Sequence, residues 1–324
     1  MSSGVDRTLR IQSPGMLTTA QDAGRVGWMA SGFSRSGAMD LPSLRRANLL
    51  VGNDKDMAAL EMTMTGVACI FGCDCVFSLT GADMCAALNG QPIPRYTALQ
   101  ARAGDTLACG GARVGMRGYL AVAGGFDLPA VLGSCSTGLK FGLGGFAGRK
   151  LRAGDALPLR CPEIPVSRLS ERVLPVPNAL DAHWRAQRPG MQLRVVLGPQ
   201  AAHFTAAGVE AFLSSWYVVT PASDRMGMKL EGKKIEAVCG YDVISDGVAP
   251  GSVQVPASGQ PIVMMADCQT TGGYAKIATV AGVALPLLAQ AKPGDKICFA
   301  AIDVREAQRL ARREAAQLRR MEIW

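Results

Sequence analysis

Tyr119-Leu-Ala-Val-Ala-Gly-Gly125 is an apolar run of strand length that ends at a pair of glycines. Three further runs have the same character: Cys75-Val-Phe-Ser-Leu-Thr80, Leu193-Arg-Val-Val-Leu197 and Pro261-Ile-Val-Met-Met265. Gly-Ala-Asp, Asn-Gly and Pro-Gly-Asp groups, which favour turns, punctuate the chain between such runs. Because strands do not alternate regularly with long helices, the sequence predicts a mainly β fold with a few helices and does not indicate a doubly wound parallel sheet.

Three segments have a helical pattern. Residues 43–51 follow Asp40-Leu-Pro, which is a suitable capped start, and residues 201–214 have moderate apolar spacing. In residues 303–321 the apolar side chains fall near one face and six arginines occupy the other. This pattern predicts a terminal helix that docks by its apolar face and keeps its arginines in water.

The length of 324 residues, with 48% hydrophobic content, is enough for one large domain or two of ordinary size. The Pro- and Arg-rich stretch between residues 158 and 189 is the one plausible connection between two halves. We therefore expect an N-terminal domain over residues 1–165, a connection over 166–190, and a C-terminal domain over 191–324 that ends in the terminal helix.

The formal net charge is +8, from 34 Lys and Arg against 26 Asp and Glu. Nucleic-acid proteins of this kind usually cluster their basic residues and interleave them with aromatics, whereas here the bases are scattered apart from the terminal helix. The charge therefore favours an anionic small substrate or an acidic partner over nucleic acid.

The chain has ten cysteines and two histidines, and these counts limit its possible redox and metal chemistry. The start, Met1-Ser-Ser-Gly-Val-Asp-Arg7, has no apolar signal region, so we expect free thiols and a cytoplasmic location. No zinc-ligand spacing occurs, and no metal site is expected. The longest apolar stretch, residues 277–291, contains Gly282 and Pro286 and is too short to span a bilayer, so no membrane partner is expected.

Four regions concentrate polar residues among glycines, as a binding site built on loops would: residues 14–53, 115–137, 223–232 and 254–276. Taken singly, each Ser or Asp in them could instead cap a turn or a helix. Residues 142–150 are similar in composition to a phosphate-binding loop, but the spacing of the motif residues is wrong and no helix follows. We interpret them as a glycine-rich loop.

These regions contain six longer strings: Thr18-Thr-Ala-Gln-Asp-Ala-Gly-Arg25, Ser36-Gly-Ala-Met-Asp40, Tyr119-Leu-Ala-Val-Ala-Gly-Gly125, Ser223-Asp-Arg-Met-Gly227, Gln254-Val-Pro-Ala-Ser-Gly-Gln-Pro-Ile262 and Thr270-Thr-Gly-Gly-Tyr274. They resemble the family that contains the C subunit of 5-oxoprolinase and allophanate hydrolase subunit 2, which is also labelled biotin-dependent carboxyltransferase. The resemblance runs in the expected order from Ile11 to Phe299. Two positions depart from the family pattern: Ala275 stands where proline is usual, and Met228-Lys229 replaces an aromatic-Arg pair.

The resemblance implies two intertwined β-barrel domains of cyclophilin-like type. It also implies partners, namely the A and B subunits of 5-oxoprolinase, of which the second is of allophanate hydrolase subunit 1 type. With them, the chain would open 5-oxo-L-proline to L-glutamate as ATP is hydrolysed. Two alternatives stay open. One is transfer of a carboxyl group from carboxybiotin, carried by another protein, to a urea-like amide. The other is a non-catalytic regulator of a kinase-control system.

Both chemistries begin with an N–H beside a C=O, so a site needs an acceptor for the N–H and donors for an oxygen that gains negative charge. On the family's pattern, we expect Asp267 or Gln254 to accept from the N–H, and Arg225 and Lys276 to donate to the oxyanion or to phosphate. The remaining expected substrate-binding residues are Thr271, Gly272 and Gly273 through their backbone N–H groups, Tyr274 through its ring, and Arg25, Ser36 and Asp40 in the first half. The alternative is that Arg225 with Glu231, or Arg25 with Asp40, are structural ion pairs.

Overall fold

The structure is a computed structural model that describes residues 6–164, 169, 172–177, 180 and 190–321. Most of the predicted connection, residues 166–190, therefore lies outside the described residues. The chain divides into two compact units. Unit 1 contains Met1–Val26 and Ser36–Trp184, and unit 2 contains Gly27–Arg35 and Arg185–Trp324. A nine-residue piece of the N-terminal half thus belongs to the C-terminal unit, which makes the two units intertwined in sequence.

In the described residues, unit 1 is built from strands in two sheets and the helix α1 (Leu41–Leu50). Its strands are β1 (Thr8–Ser13), β2 (Leu17–Gln21), β3 (Ala59–Thr63), β4 (Ala68–Phe71), β5 (Cys75–Asp83), β6 (Ala87–Leu88), β7 (Gln91–Pro92), β8 (Ala98–Ala101), β9 (Thr106–Ala108), β10 (Val114–Val122) and β11 (Ala156–Pro158). One sheet has the order β11-β1-β4-β9-β6-β7, and the other has the order β2-β3-β10-β5-β8.

The two sheets of unit 1 enclose one hydrophobic core. Leu60 on β3 is paired with Leu120 on β10, and both side chains enter this core together with Leu9 and Phe71 of the other sheet. Because successive residues of a strand point to opposite faces, the neighbouring positions face away from the core. On β3 and β10 these positions include Glu61 and Tyr119, which carry polar groups and yet are buried, and the candidate site of unit 1 depends on this feature.

Helix α1 lies against the five-stranded sheet, which it meets through hydrogen bonds from polar side chains. Ser78 Oγ donates to the carbonyl of Ala47 at 2.7 Å, and Thr80 Oγ1 donates to the carbonyl of Ser43 at 2.7 Å. The helix begins after Asp40, whose Oδ1 accepts from the backbone N–H of Ser43 at 3.0 Å. The capped start expected at Asp40 is therefore confirmed.

Unit 2 contains a closed barrel with the strand order β12-β19-β16-β17-β14-β13-β20 and a separate two-stranded sheet of β15 and β18. Its strands are β12 (Met191–Leu197), β13 (Tyr217–Val219), β14 (Gly227–Glu231), β15 (Asp242–Gly247), β16 (Ser252–Gln254), β17 (Ile262–Met264), β18 (Thr271–Tyr274), β19 (Lys276–Val280) and β20 (Lys296–Ala301). Its helices are α2 (Ala206–Ser214), α3 (Leu285–Ala289) and α4 (Val304–Met321), with short 3-10 turns at Met29–Ser31, Ala201–His203 and Gly282–Ala284.

The predicted fold class, mainly β with two intertwined cyclophilin-like domains, is confirmed. The four strands expected from the sequence correspond to β5, β10, β12 and β17, and the three expected helices correspond to α1, α2 and α4. In α4 Leu318 is buried, while all six arginines are exposed, as the sequence predicted. Within the described part of the chain, none of the helices combines the length and the apolar composition needed to cross a membrane.

Candidate functional site

The first group of candidate residues in unit 2 is a buried ion pair. Arg225 Nε lies 2.8 Å from Asp267 Oδ2, and Arg225 Nη2 lies 3.2 Å from Asp267 Oδ1. The two side chains are only 5% and 8% exposed. This two-point geometry matches the planar guanidinium to the carboxylate and fixes both groups.

Backbone contacts hold this ion pair in place. The N–H of Asp267 donates to the carbonyl of Arg225 at 2.9 Å, just beyond the end of the β14–β17 pairing. Ser34, from the nine-residue piece of the N-terminal half, donates its hydroxyl to the carbonyl of Cys268 at 2.7 Å. Both backbone segments that carry the pair are therefore held by hydrogen bonds next to strands β14 and β17 of the barrel.

The second group in unit 2 centres on Lys276. Its Nζ lies 2.8 Å from Asp246 Oδ2, and its backbone N–H donates to Gln200 Oε1 at 2.8 Å. The hydrogen bond from Lys276 lowers the pKa of the Asp246 carboxyl, with help from the N–H of Gly247. Gln254 is the cross-strand partner of Lys276 in the β16–β19 pairing.

The glycine pair of β18 lies beside Gln254. Gln254 Nε2 donates to the carbonyl of Tyr274 at 3.3 Å, and a Cβ added to Gly272 would lie 2.8 Å from the same nitrogen. Position 272 therefore accepts only glycine without displacing Gln254. Thr271 and Tyr274 are exposed at the two ends of β18, with Gly273 half-buried between them.

The structure thus brings the predicted residues of unit 2 together in two groups. Gln254 pairs with Ile262 at one end of β17, whereas the Arg225–Asp267 ion pair lies beyond Met264 at the other end. Gln254, Tyr274 and Lys276 form one group, and the ion pair forms the other.

The candidate region of unit 1 is organised by Asp22, which follows β2. Its Oδ1 accepts from the N–H of Gly24 and from the hydroxyls of Ser134 and Ser136, at 2.7, 2.7 and 2.5 Å. Its Oδ2 accepts from the N–H of Cys135 at 2.6 Å. A single buried carboxylate therefore ties the end of β2 to the loop at residues 134–136.

Two of the predicted unit 1 residues converge on this loop. Arg25 is buried and donates from Nη2 to the carbonyl of Ser136. A Cβ added to Gly138 would lie 3.4 Å from Ser36 Oγ and 3.7 Å from Arg25 Nη1, so both groups flank this glycine. Asp40 caps α1 with Oδ1 and accepts from the hydroxyl of Ser43 with Oδ2 at 2.7 Å.

Sequence reasoning missed the acidic partners in both units. Asp246 lies in the exposed strand β15, and the polar run Tyr241-Asp-Val-Ile-Ser-Asp246 was its only signal. Glu61 is 1% exposed on β3 and stands alone among apolar residues, and an acidic residue inside such a run is a signal of a buried polar network. Asp22 was visible in the sequence as part of the string at residues 18–25 but was not assigned a role.

The glycine-rich loop at residues 142–148 does not fit a nucleotide phosphate. A Cβ added to Gly144 would strike the carbonyl of Ser136, so the loop packs against its own unit. Arg149 directs both terminal nitrogens to Asp155 at 2.8 Å. Gly144 and Arg149 are therefore engaged within unit 1 and are not available to a phosphate group.

Metal and disulfide chemistry give no further site in the described residues. No three side chains of His, Cys, Asp or Glu there are grouped closely enough to hold a metal ion. All ten cysteines are free thiols, as the sequence predicted. Burial raises the pKa of Cys75, Cys109 and Cys268 to about 12, which keeps them protonated and unreactive at neutral pH.

Comparison with known proteins agrees with this architecture. Residues 31–301 match the family described as carboxyltransferase domain, subdomain A and B. The chain is 41% identical to the C subunit of 5-oxoprolinase from Escherichia coli, over 92% of this chain and 93% of that protein. It is 33% identical to urea amidolyase of Lachancea kluyveri over 96% of this chain but only 18% of that protein. The crystal structure of K. lactis urea amidolyase superposes with a TM-score of 0.88 at 28% identity, over 98% of this chain and 20% of that chain.

The fold and the comparisons define a carboxyltransferase-type β protein that spans about a fifth of the urea amidolyases it matches. The chain belongs to the family that contains the C subunit of 5-oxoprolinase and allophanate hydrolase subunit 2, the biotin-dependent carboxyltransferase family.

Proposed function

We propose that this chain is one component of an ATP-dependent 5-oxoprolinase that hydrolyses 5-oxo-L-proline to L-glutamate together with the A and B subunits of that enzyme. One observation carries the proposal. The match to the C subunit of 5-oxoprolinase covers 93% of that protein, whereas the match to urea amidolyase covers 18%. A chain that corresponds to a whole subunit is best explained by the function of that subunit.

The chemistry of unit 2 suits a cyclic amide. The lactam N–H needs an acceptor, and Asp267 can provide one because each carboxylate oxygen has a second lone pair beyond the bond to Arg225. Gln254 is the other proposed acceptor, through its amide oxygen. As the carbonyl oxygen gains negative charge, the proposed donors are Arg225 and Lys276, whose positions are fixed in advance by their carboxylate partners.

The remaining proposed contacts are with substrate rather than with reacting atoms. Thr271, Gly272 and Gly273 would offer backbone N–H groups, and the exposed ring of Tyr274 would orient the substrate ring. In unit 1 we propose Arg25, Ser36 and Asp40 as substrate-binding residues, because Arg25 and Ser36 converge on Gly138.

We place ATP on another component of the complex, because the glycine-rich loop of this chain packs on itself. We also propose that the complex works in the cytoplasm, where ten free thiols would stay reduced. Nucleic acid and membrane are not among the proposed partners.

Carboxyl transfer is the second candidate function. The matched family is described as a carboxyltransferase domain, and urea amidolyases contain a similar region. In this case the substrate would be a urea-like amide, and biotin would be carried by another protein.

The decisive experiment measures ATP-dependent glutamate release from 5-oxoproline by this chain purified with the A and B subunits, and with each of the three proteins omitted. We expect activity that disappears when this chain is left out. An assembled complex without this activity, but with transfer of a carboxyl group from carboxybiotin to urea, would establish the second function. Absence of both activities would leave a regulatory role.

A matched pair of glutamine variants then tests the site. Gln254 is buried beside Lys276, whereas Gln260 makes hydrogen bonds with Gly232 at the turn near residue 260. Gln254→Ala should lower kcat/KM by about 100-fold through the lost substrate contact, and Gln260→Ala should stay within about twofold. Equal activity of both variants would remove Gln254 from the site.

A further inference from the structure

Four consecutive backbone N–H groups before α1 are each bound by a different acceptor. The donors are Gly37, Ala38, Met39 and Asp40, and their respective acceptors are Gln21 Oε1 at 3.1 Å, the carbonyl of Asp22 at 2.9 Å, Glu61 Oε2 at 2.8 Å and the hydroxyl of Tyr119 at 2.8 Å. Buried backbone N–H groups are nearly always paired, and here two of the four acceptors are the side chains of Glu61 and Tyr119, which lie on the neighbouring sheet.

Glu61 and Tyr119 supply two of these four acceptors. They are cross-strand partners on β3 and β10 and are 1% and 0% exposed. The Tyr119 hydroxyl donates to Glu61 Oε2 at 2.8 Å while it accepts from the N–H of Asp40. Burial raises the pKa of Tyr119 well above its usual range, and the Glu61 carboxylate adds to the effect. The hydroxyl therefore stays protonated and can both donate and accept.

Burying a carboxylate on the face of a sheet costs more free energy than burying an apolar side chain. The adjacent residue Leu120 enters the hydrophobic core and is apolar. This strand therefore uses an apolar residue where only packing is required. Burying Glu61 requires compensating contacts, which come from Tyr119, the N–H of Met39 and Arg117, whose Nε lies 4.0 Å from Oε1. The hydrogen bonds from Tyr119 and Met39 to Glu61 are directional, which an apolar contact cannot be.

The segment held in this way carries two proposed substrate-binding residues. Ser36 precedes the first bonded amide and has a left-handed backbone, with φ of 54°. Asp40 carries the fourth bonded amide and is the N-cap residue of α1. A shift of the segment would move Ser36 away from Gly138 and Arg25, where its hydroxyl now lies.

We propose that Glu61 and Tyr119 are positioning residues that hold Ser36 and Asp40 in the geometry needed to bind substrate. This inference rests on the proposed function of unit 1. The pair touches no reacting atoms; it acts through the backbone of residues 37–40. Its loss should therefore weaken substrate binding and leave the chemical step intact.

Tyr119→Phe tests the inference, with Tyr96→Phe as the matched control. Both rings are fully buried in unit 1, but the hydroxyl of Tyr96 accepts from the N–H of Gly81 at 3.0 Å and lies 3.4 Å from Ser43 Oγ. Both variants should lower Tm by about 3–8 °C. In the complex with its partner proteins, Tyr119→Phe should raise KM for 5-oxoproline about tenfold with kcat within about twofold. Tyr96→Phe should change KM by less than about twofold, because the Tyr96 hydroxyl reaches Asp40 only through Ser43.

Amide hydrogen exchange in the full chain gives a second measurement that needs no activity. Tyr119→Phe should speed exchange of the Asp40 amide about tenfold or more, and Tyr96→Phe should not. If the wild-type complex has no 5-oxoprolinase activity, the proposed function fails while this exchange measurement still decides the structural claim. Unchanged exchange at Asp40 in Tyr119→Phe, or an equal rise of KM in both variants, would overturn the inference.

Two substitutions of Glu61, one conservative and one not, test whether its acceptor oxygen is what holds the segment. Gln at position 61 keeps an oxygen that can accept from Met39 and Tyr119, whereas Ala keeps none. Glu61→Gln should therefore keep KM within about threefold of wild type, and Glu61→Ala should raise it at least tenfold. A KM of Glu61→Ala equal to that of wild type would show that Glu61 has no positioning role.

Discussion

The two units hold their candidate residues by different kinds of contact. In unit 2, Arg225 and Lys276 are each fixed by a carboxylate, Asp267 or Asp246. In unit 1, Asp22 is fixed by two backbone N–H groups and two serine hydroxyls. Charges neutralise one another in the first arrangement, whereas in the second a charge is solvated by neutral dipoles.

This difference predicts how each unit responds to substitution. An ion pair loses most when one partner is removed, because the other charge stays buried, and loses little when both are replaced by apolar groups. A carboxylate held by several neutral donors has no single partner, so its loss leaves several polar groups unsatisfied together. Four sets of variants test the contacts of the two units, and we take them from the largest expected effect to the smallest.

Arg225→Ala should lower the free energy of unfolding by about 3–5 kcal/mol, because Asp267 would be left charged and buried. The double variant Arg225→Met with Asp267→Leu should recover most of this loss. Urea denaturation of the three proteins measures both effects. A double variant as unstable as the single one would mean that hydrogen bonds other than the ion pair dominate. Activity lost in a stable double variant would report the role of the pair in function.

Asp22→Asn should lower the free energy of unfolding by about 2–3 kcal/mol, because an amide cannot accept from four donors as a carboxylate does. Asp127→Asn is the control, since Asp127 is 65% exposed in its ion pair with Arg160 and should change stability by less than about 0.5 kcal/mol. Equal midpoints in urea for both variants would refute the organising role of Asp22.

Gly144→Ala and Gly142→Ala separate crowding from backbone strain. Both glycines are left-handed, with φ of 64° and 62°, but a Cβ on Gly144 would strike Arg25 and Ser136, while one on Gly142 meets nothing within 4 Å. Gly142→Ala should cost about 1 kcal/mol from strain alone, and Gly144→Ala should cost about 2 kcal/mol in total because crowding adds to the strain. Thermal unfolding compares them; equal costs would mean that the loop does not rest against Arg25.

Lys276→Met should have the smallest effect on stability, because Asp246 is more than half exposed. The Lys276 hydrogen bond lowers the pKa of Asp246 in the folded chain, so its stabilisation is present above the unfolded pKa near 3.8 and is lost as pH falls through the lowered value. In the variant, this acid-side loss should disappear and the pKa of Asp246 should rise toward its usual value. Carboxyl NMR titration measures it, and an unmoved pKa would assign the shift to the N–H of Gly247.

Local patterns in the sequence were sufficient for three of the four described helices and for four of the strands. The start of α1 followed from Asp40 and Pro42, because a capping carboxylate and a proline in the first turn act within four residues. The polar strings at residues 223–227 and 254–262 likewise indicated Arg225 and Gln254 as candidates. The ion pair of Arg225 with Asp267 was not predicted, since its partners are 42 residues apart and only the β14–β17 register brings them together.

The buried polar face of unit 1 shows why the remaining contacts could not be predicted from the sequence. Thr19, Glu61, Tyr119 and Thr80 lie in one row across β2, β3, β10 and β5. In the sequence they belong to four separate segments that are far apart along the chain. Only strand register, which depends on long-range pairing, places them side by side.

The sequence by itself determined the mainly β class, the main helices, the free thiols and the family, because each depends on local composition or on strings of adjacent residues. The tertiary structure decided which strands pair, and hence that Lys276 meets Asp246 and that Glu61 meets Tyr119. It also assigned Gly27–Arg35 to unit 2, where Ser34 supports Cys268 beside Asp267. These contacts join residues that are 30 to 234 positions apart, and local conformational preferences do not determine contacts over such distances in the chain.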